Sequence, residues 1–181
     1  LNGSTMRLRG DWSNTAGTIL IDGTSSLQIE GDFATSDIGS IDNSAGGSLF
    51  LESAWDNTGD SFTFDANTRS WVMDGATITG GTLTPGVGGE GLIFGVSNAN
   101  ILTGGLVYNG DLDINTSSGR VRIEGGAGFT GDANLTANNV FLIYNDTQTV
   151  DSKTINMDGS NSTFSVSGNH TLTLDPGLLV R

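Results

Sequence analysis

At 181 residues the chain has room for one sizeable domain or a run of small repeats. Twenty acidic side chains against seven basic ones give a net charge of −13, which repels nucleic-acid phosphates and anionic lipid and argues against both as partners. There is no Cys, which removes disulfide staples and thiolate metal sites, and no apolar run approaches the ~18 residues of a membrane-spanning helix.

Residues 1–8 already read as strand, with Met6 and Leu8 on one side of it. The phrase GDWSNTAGTI (10–19) comes next and then returns as GDFATSDIGSI (31–41) and SAWDNTGDSFTF (53–64). Trp12, Phe33 and Trp55 sit at one place in the three phrases, about 22 residues apart. The strands before them align as Met6/Leu8, Leu27/Ile29 and Leu49/Leu51. The strands after them align as Ile19/Ile21, Ile38/Ile41 and Phe62/Phe64. Between the strands stand turn signals: Asn14-Thr15, Asp22-Gly23, Asp42-Asn43 and Asn57-Thr58. No stretch has helical spacing.

Past residue 83 the register weakens. Residues 84–105, TPGVGGEGLIFGVSNANILTGG, are rich in Gly and read as an irregular loop or insertion. Alternation resumes at 112–123, 139–146, 154–159 and 163–177. Asp111 and Asp113 share one side of a strand, and Arg120 and Arg122 share one side of the next. The two pairs are placed to meet as an exposed ion pair of about 0–1 kcal/mol.

A period near 22 with two or three short strands predicts an all-β parallel β-helix of roughly eight coils. It would be a single solenoid over 1–181, with regular coils over 1–83 and further coils over 106–181. An antiparallel sandwich also has evenly spaced strands, but its strands have no reason to repeat one phrase in register. The expected ladder inside the coil is Trp12, Phe33 and Trp55, with Leu8, Ile29, Leu51, Ile21 and Phe64 in neighbouring columns. The two ends carry no amphipathic cap, no initiator Met and no signal pattern, so the chain reads as a segment of a longer solenoid or of a fibre built by stacking.

Chemistry is harder to find. His170 is the single His and lies among polar neighbours, so no nucleophile triad can be assembled. GVGGEG (86–91) lacks the following helix of a phosphate loop. Asp56, Asp60, Asp65, Arg69 and Asp74 form the densest charged stretch, but each Asp falls at a turn, where it serves the backbone. No enzyme activity and no cofactor are expected. Calcium has one candidate place, Asp11 and Asp32 on neighbouring coils, and Ala54 breaks that column. The Thr pairs 77/79, 82/84 and 171/173 are off the coil period required of an ice-binding array. Six Asn-x-Ser/Thr sequons, starting at Asn2, Asn115, Asn134, Asn145, Asn161 and Asn169, reflect the high Asn, Ser and Thr content. Trp71, Tyr108 and Tyr144 are left as candidate sugar-facing aromatics.

GDWSNTAGTILIDGTSSLQIEGDF (10–33), IDNSAGGSLFLESAWDNTGDSFTF (41–64), DGATITGGTL (74–83) and GLVYNGDLDINTSSGRVRIEGGAGFTGDANLTANN (105–139) resemble large secreted bacterial repeat proteins of the filamentous-haemagglutinin and autotransporter-passenger kind. The resemblance implies a right-handed parallel β-helix, exported to the cell surface, that acts as stalk, fibre or adhesin. The expected partners are further copies stacked end to end or neighbouring repeats of the same chain, and cell-surface polysaccharide. It transfers no catalytic residue. A carbohydrate-binding or polysaccharide-degrading β-helix is the alternative function.

Overall fold

The computed structural model describes residues 3–181. The first coil carries β1 (Thr5–Leu8) and β2 (Thr18–Leu20). The second holds β3 (Ser26–Ile29), β4 (Phe33–Ala34) and β5 (Ser40–Asp42). The third holds β6 (Ser48–Leu51), β7 (Ala54–Asp56) and β8 (Ser61–Thr63), and the fourth β9 (Trp71–Met73), β10 (Thr77–Thr79) and β11 (Thr82–Thr84). Next come β12 (Leu92–Phe94), β13 (Ile101–Thr103) and β14 (Val107–Tyr108), then β15 (Leu112–Ile114), β16 (Arg120–Ile123) and β17 (Gly128–Phe129). The last two coils hold β18 (Ala133–Leu135), β19 (Phe141–Tyr144) and β20 (Gln148–Val150), then β21 (Thr154–Asn156), β22 (Thr163–Val166) and β23 (Leu172–Leu174). β24 (Leu179–Val180) lies beyond them.

Each strand pairs in parallel with the strand about 22 residues away, never with its sequence neighbour: Thr5 with Ser26, Ser26 with Ser48, Phe141 with Thr163. The chain is therefore a β-solenoid of about eight coils with three strands in most coils, about 40 Å long at ~4.8 Å per coil. The second face is one unbroken sheet, β4-β7-β10-β13-β16-β19-β22. The first face is two sheets, β1-β3-β6-β9-β12 and β15-β18-β21-β24, with no ladder between β12 and β15. The third face is in three pieces, β2-β5, β8-β11-β14-β17 and β20-β23.

Strand periodicity decides what is inside. In β9 Trp71 and Met73 are buried while Val72 is half-exposed. Stacking then lines the inward residues up in columns. One runs Leu8, Ile29, Leu51, Met73 and Phe94, and another runs Phe33, Trp55, Ile78, Leu102, Ile123, Tyr144 and Val166. Each fully buried Leu, Ile or Phe contributes about 1.5–3 kcal/mol relative to exposure, and the columns together make one continuous core.

Corners are held by Asn side chains that reach between coils. Asn57 is buried and donates to the Gly80 carbonyl (3.2 Å) and the Thr82 carbonyl (3.4 Å) of the next coil. Asn100 is buried too. It accepts from the Gly75 N–H at 2.7 Å and donates to the Gly95 and Arg120 carbonyls at 3.0 and 3.1 Å. A side-chain amide here satisfies backbone groups that a tight corner turns away from the ladder. Gly81 sits directly above Asn57 at φ 65, and a Cβ there would collide with the Asn57 carbonyl oxygen.

Residues 84–105 are not an insertion. They contain β12 and β13 in full register, with Leu92 on Trp71 and Leu102 on Ile78. The irregular part is confined to a turn at 85–91, closed by Gly86 N–H to the Glu90 carbonyl (2.8 Å) with Val87 fully exposed at its tip. The high Gly content masks the short strand Leu92–Phe94, in which Leu92 and Phe94 are buried and Ile93 is half-exposed. The third-face alignment also needs revision: Ile19 pairs with Ile41, but Ile38 lies at a 3-10 turn (Thr35–Asp37), and β8 starts a separate sheet.

Candidate functional site

Of the repeated aromatics, Phe33 and Trp55 lie in the core, and Trp12 is half-buried against it. Trp12 and Phe33 meet tilted at 5.1 Å between ring centroids, and Phe33 and Trp55 stack at 5.6 Å. The indole N–H groups are all satisfied internally: Trp12 donates to the Gly31 carbonyl (3.3 Å), Trp55 to the Thr35 hydroxyl (2.8 Å), Trp71 to the Thr68 carbonyl (3.1 Å). Of the other expected ladder residues, Ile21, Ile29, Leu51 and Phe64 are fully buried and Leu8 is half-buried.

The three aromatics expected to face a sugar do not face solvent. Trp71 packs against Trp55 (5.3 Å), Phe62 (5.0 Å) and Phe64 (5.8 Å). Tyr108 stacks in register on Leu83 and Tyr144 on Ile123, and both are buried. Burial raises the Tyr108 phenol to about 12 and pushes the Tyr144 phenol up further. The physical reason is the column: each continues an inward position one coil away, a spacing that identifies them as core before any ring chemistry is considered.

Asp11 and Asp32 do line one shallow depression, together with Trp12, Ser13 and Asp37. Two of its carboxylates serve the backbone: Asp32 Oδ1 accepts the Ala54 N–H and Asp37 Oδ2 the Ala34 N–H, each at 3.0 Å. Among the described residues no group of three or more His, Cys, Asp or Glu side chains is placed to hold a metal ion. The Asp and Arg pairs of the sixth coil do not meet. Arg120 lies over the Phe141 ring (4.3 Å) and bonds Asn98, while Asp113 Oδ1 accepts from Asn134 Nδ2 at 2.7 Å. Asn134 in turn accepts from Asn156 (2.7 Å) and Asn156 from Arg181 (2.7 Å), a polar ladder along the outside of four coils. The ion pairs among the described residues are Arg7 and Arg9 with Glu30. The Arg9 hydrogen bond, then the charges of both Arg, hold Glu30 below the usual carboxylate range.

Two places remain where the surface departs from a regular coil. One is the pair of coil edges. The last coil leaves Leu174, Leu179 and Val180 between 44 and 51 % exposed. β1 and β22 each have a ladder partner on one side only among the described strands. The other is a cleft of about 390 Å³ at the corner where the first-face sheet is interrupted between β12 and β15. Its lining includes Glu90, Tyr108, Asn109, Asp111, Asp113 and Asn115. Apart from Tyr108, none of these six stands out in the sequence as a binding residue; the signal lies in the crowding of Asn and Asp within 109–115, and the Pro85 turn is remote from it in sequence. His170 is exposed, in a turn of the last full coil.

No family model matches the chain, and comparison with curated proteins and with solved structures also gave no match.

Proposed function

We propose that the chain is a non-catalytic structural and adhesive module of an extracellular bacterial surface fibre, and that copies join end to end through the open edges of the first and last coils. The exposed apolar edge of the last coil, Leu174, Leu179 and Val180, carries this reading. A parallel strand with an unpaired edge is a template for another strand, and a solenoid normally covers such an edge with a polar cap. Leu174 and Val180 continue the columns of Val150 and Ile155, and a further strand would lie on them. A further coil laid on them would extend both the backbone ladders and the inward columns. The axial stitching supports a role in carrying tension along the rod: polar ladders and carboxylate-to-backbone bonds tie coil to coil along the outside. Localisation at the cell surface rests on the resemblance of the repeated phrases to secreted bacterial repeat proteins.

The test is sedimentation of the 181-residue chain over a range of concentrations, beside a Leu174→Lys/Leu179→Lys variant. Association that grows with concentration and is abolished in the double variant is the expected result. A wild-type chain that stays monomeric throughout overturns the proposal.

A further inference from the structure

The corner cleft lies in the middle coils, away from both edges, so its properties are independent of end-to-end stacking. Its origin is the interruption of the first-face sheet: β12 and β15 are successive in the stack, yet no ladder joins them. A neighbouring strand is therefore absent as partner for the Leu92 N–H, which instead donates to the Tyr108 hydroxyl at 3.3 Å. Gly91 makes room for this, since a Cβ there would press on the same hydroxyl. Tyr108 is only 3 % exposed, its hydroxyl lies beside two cleft-lining residues, and its own proton has no acceptor among the described residues. A buried donor without an acceptor, next to a cavity, asks for one from a ligand.

The rim offers complementary groups. Asp111 spends Oδ1 on the Asp132 N–H (2.9 Å) and Asp113 spends Oδ1 on Asn134 (2.7 Å), so each keeps a second oxygen as acceptor. Glu90 spends Oε2 on the Gly88 N–H (3.1 Å) and keeps Oε1. Asn109 uses its carbonyl for the Thr130 hydroxyl (3.2 Å) and keeps its NH₂ as donor. Acceptors and donors thus both line a space of ligand size. An anion is repelled by three carboxylates. A cationic amine has no use for the phenol and amide donors. A sugar hydroxyl donates and accepts at once and uses both kinds of group.

We propose that this cleft binds a neutral sugar unit of a polysaccharide, with the Tyr108 hydroxyl as the donor at its base, Asp111 and Asp113 as acceptors and Asn109 as a second donor.

The experiment is an amide chemical-shift titration of the stacking-blocked Leu174→Lys/Leu179→Lys protein with cellohexaose, maltohexaose, mannohexaose and xylohexaose, and separately with calcium chloride and oligogalacturonate. The expected result is a saturable shift confined to residues around 90–92 and 108–115 with at least one neutral oligosaccharide. Tyr108→Phe keeps the ring in its column and removes only the hydroxyl. It should weaken that binding at least tenfold, while amide signals outside residues 90–92 and 108–115 stay in place and only those near the lost Leu92 N–H acceptor move. Asp113→Asn, outside the core, should weaken it too. No saturable response to any of the four neutral sugars overturns the proposal. So does a cleft response to calcium or oligogalacturonate alone, or Tyr108→Phe binding as the parent does.

Discussion

At the scale of the residue, position in the stack sets the energetic weight of a side chain. Trp55 is fully buried between Phe33, Phe62 and Trp71, while Trp12 makes the same kind of stack from one side at the first coil and is only half-buried. Trp55→Ala should cost about 3–5 kcal/mol and Trp12→Ala clearly less, measured by urea unfolding. Equal losses would deny the gradient from edge to middle. Turn carboxylates act differently. Asp65 accepts the Asn67 and Thr68 N–H groups, each at 2.8 Å, and the Thr68 bond, then the Asn67 bond, hold its pKa below the usual Asp value near ~3.9. Its contribution is therefore complete above that value and is lost as pH falls through the lowered folded-state pKa. The urea-midpoint gap between wild type and Asp65→Ala should be the same at pH 7 and pH 5 and should shrink at pH 3. A gap independent of pH would mean that the carboxylate charge is irrelevant to the turn.

The element here is the coil, and it is the unit that the sequence writes out. Three phrases at constant spacing are enough to predict the parallel stack, the Trp12–Phe33–Trp55 column and the Leu8–Ile29–Leu51 column, because inward residues recur at the coil period whatever lies between them. The same logic applied one coil further places Trp71 in line with Leu92 and Tyr144 in line with Ile123. Reading those rings as sugar platforms weighs side-chain type over position. The 85–91 turn draws attention to its Gly residues and away from β12. Asn57 and Asn100 cannot be recognised as interior residues, since a buried Asn at a corner and an exposed Asn in a turn look identical in one dimension. The cleft is less legible still, because it arises from a ladder that fails to form. Corners carry a prediction of their own. Gly81→Ala forces a left-handed φ on a residue with a Cβ and drives that Cβ into the Asn57 carbonyl, so it should destabilise by more than about 1 kcal/mol. The readout is the urea midpoint; an unchanged midpoint would show that the corner relaxes freely.

Over the whole molecule, two opposing terms would govern the proposed assembly. Apolar edges favour another coil on the stack, and a net charge of −13 per copy repels the copy that would bring it. Repulsion between exposed charges is screened with a Debye length of about 10 Å at 0.1 M salt and about 3 Å at 1 M, whereas burial of apolar edges is not. Association should therefore strengthen as sodium chloride is raised, followed by light scattering. Weakening with salt would indicate that ion pairs, rather than apolar edges, hold copies together. End-to-end stacking is read out without intermediaries by electron microscopy of concentrated 181-residue protein. Stacked copies should form unbranched rods of constant width whose lengths are multiples of about 40 Å, the rise of eight coils at ~4.8 Å each. Single particles of one fixed length at every concentration would rule stacking out.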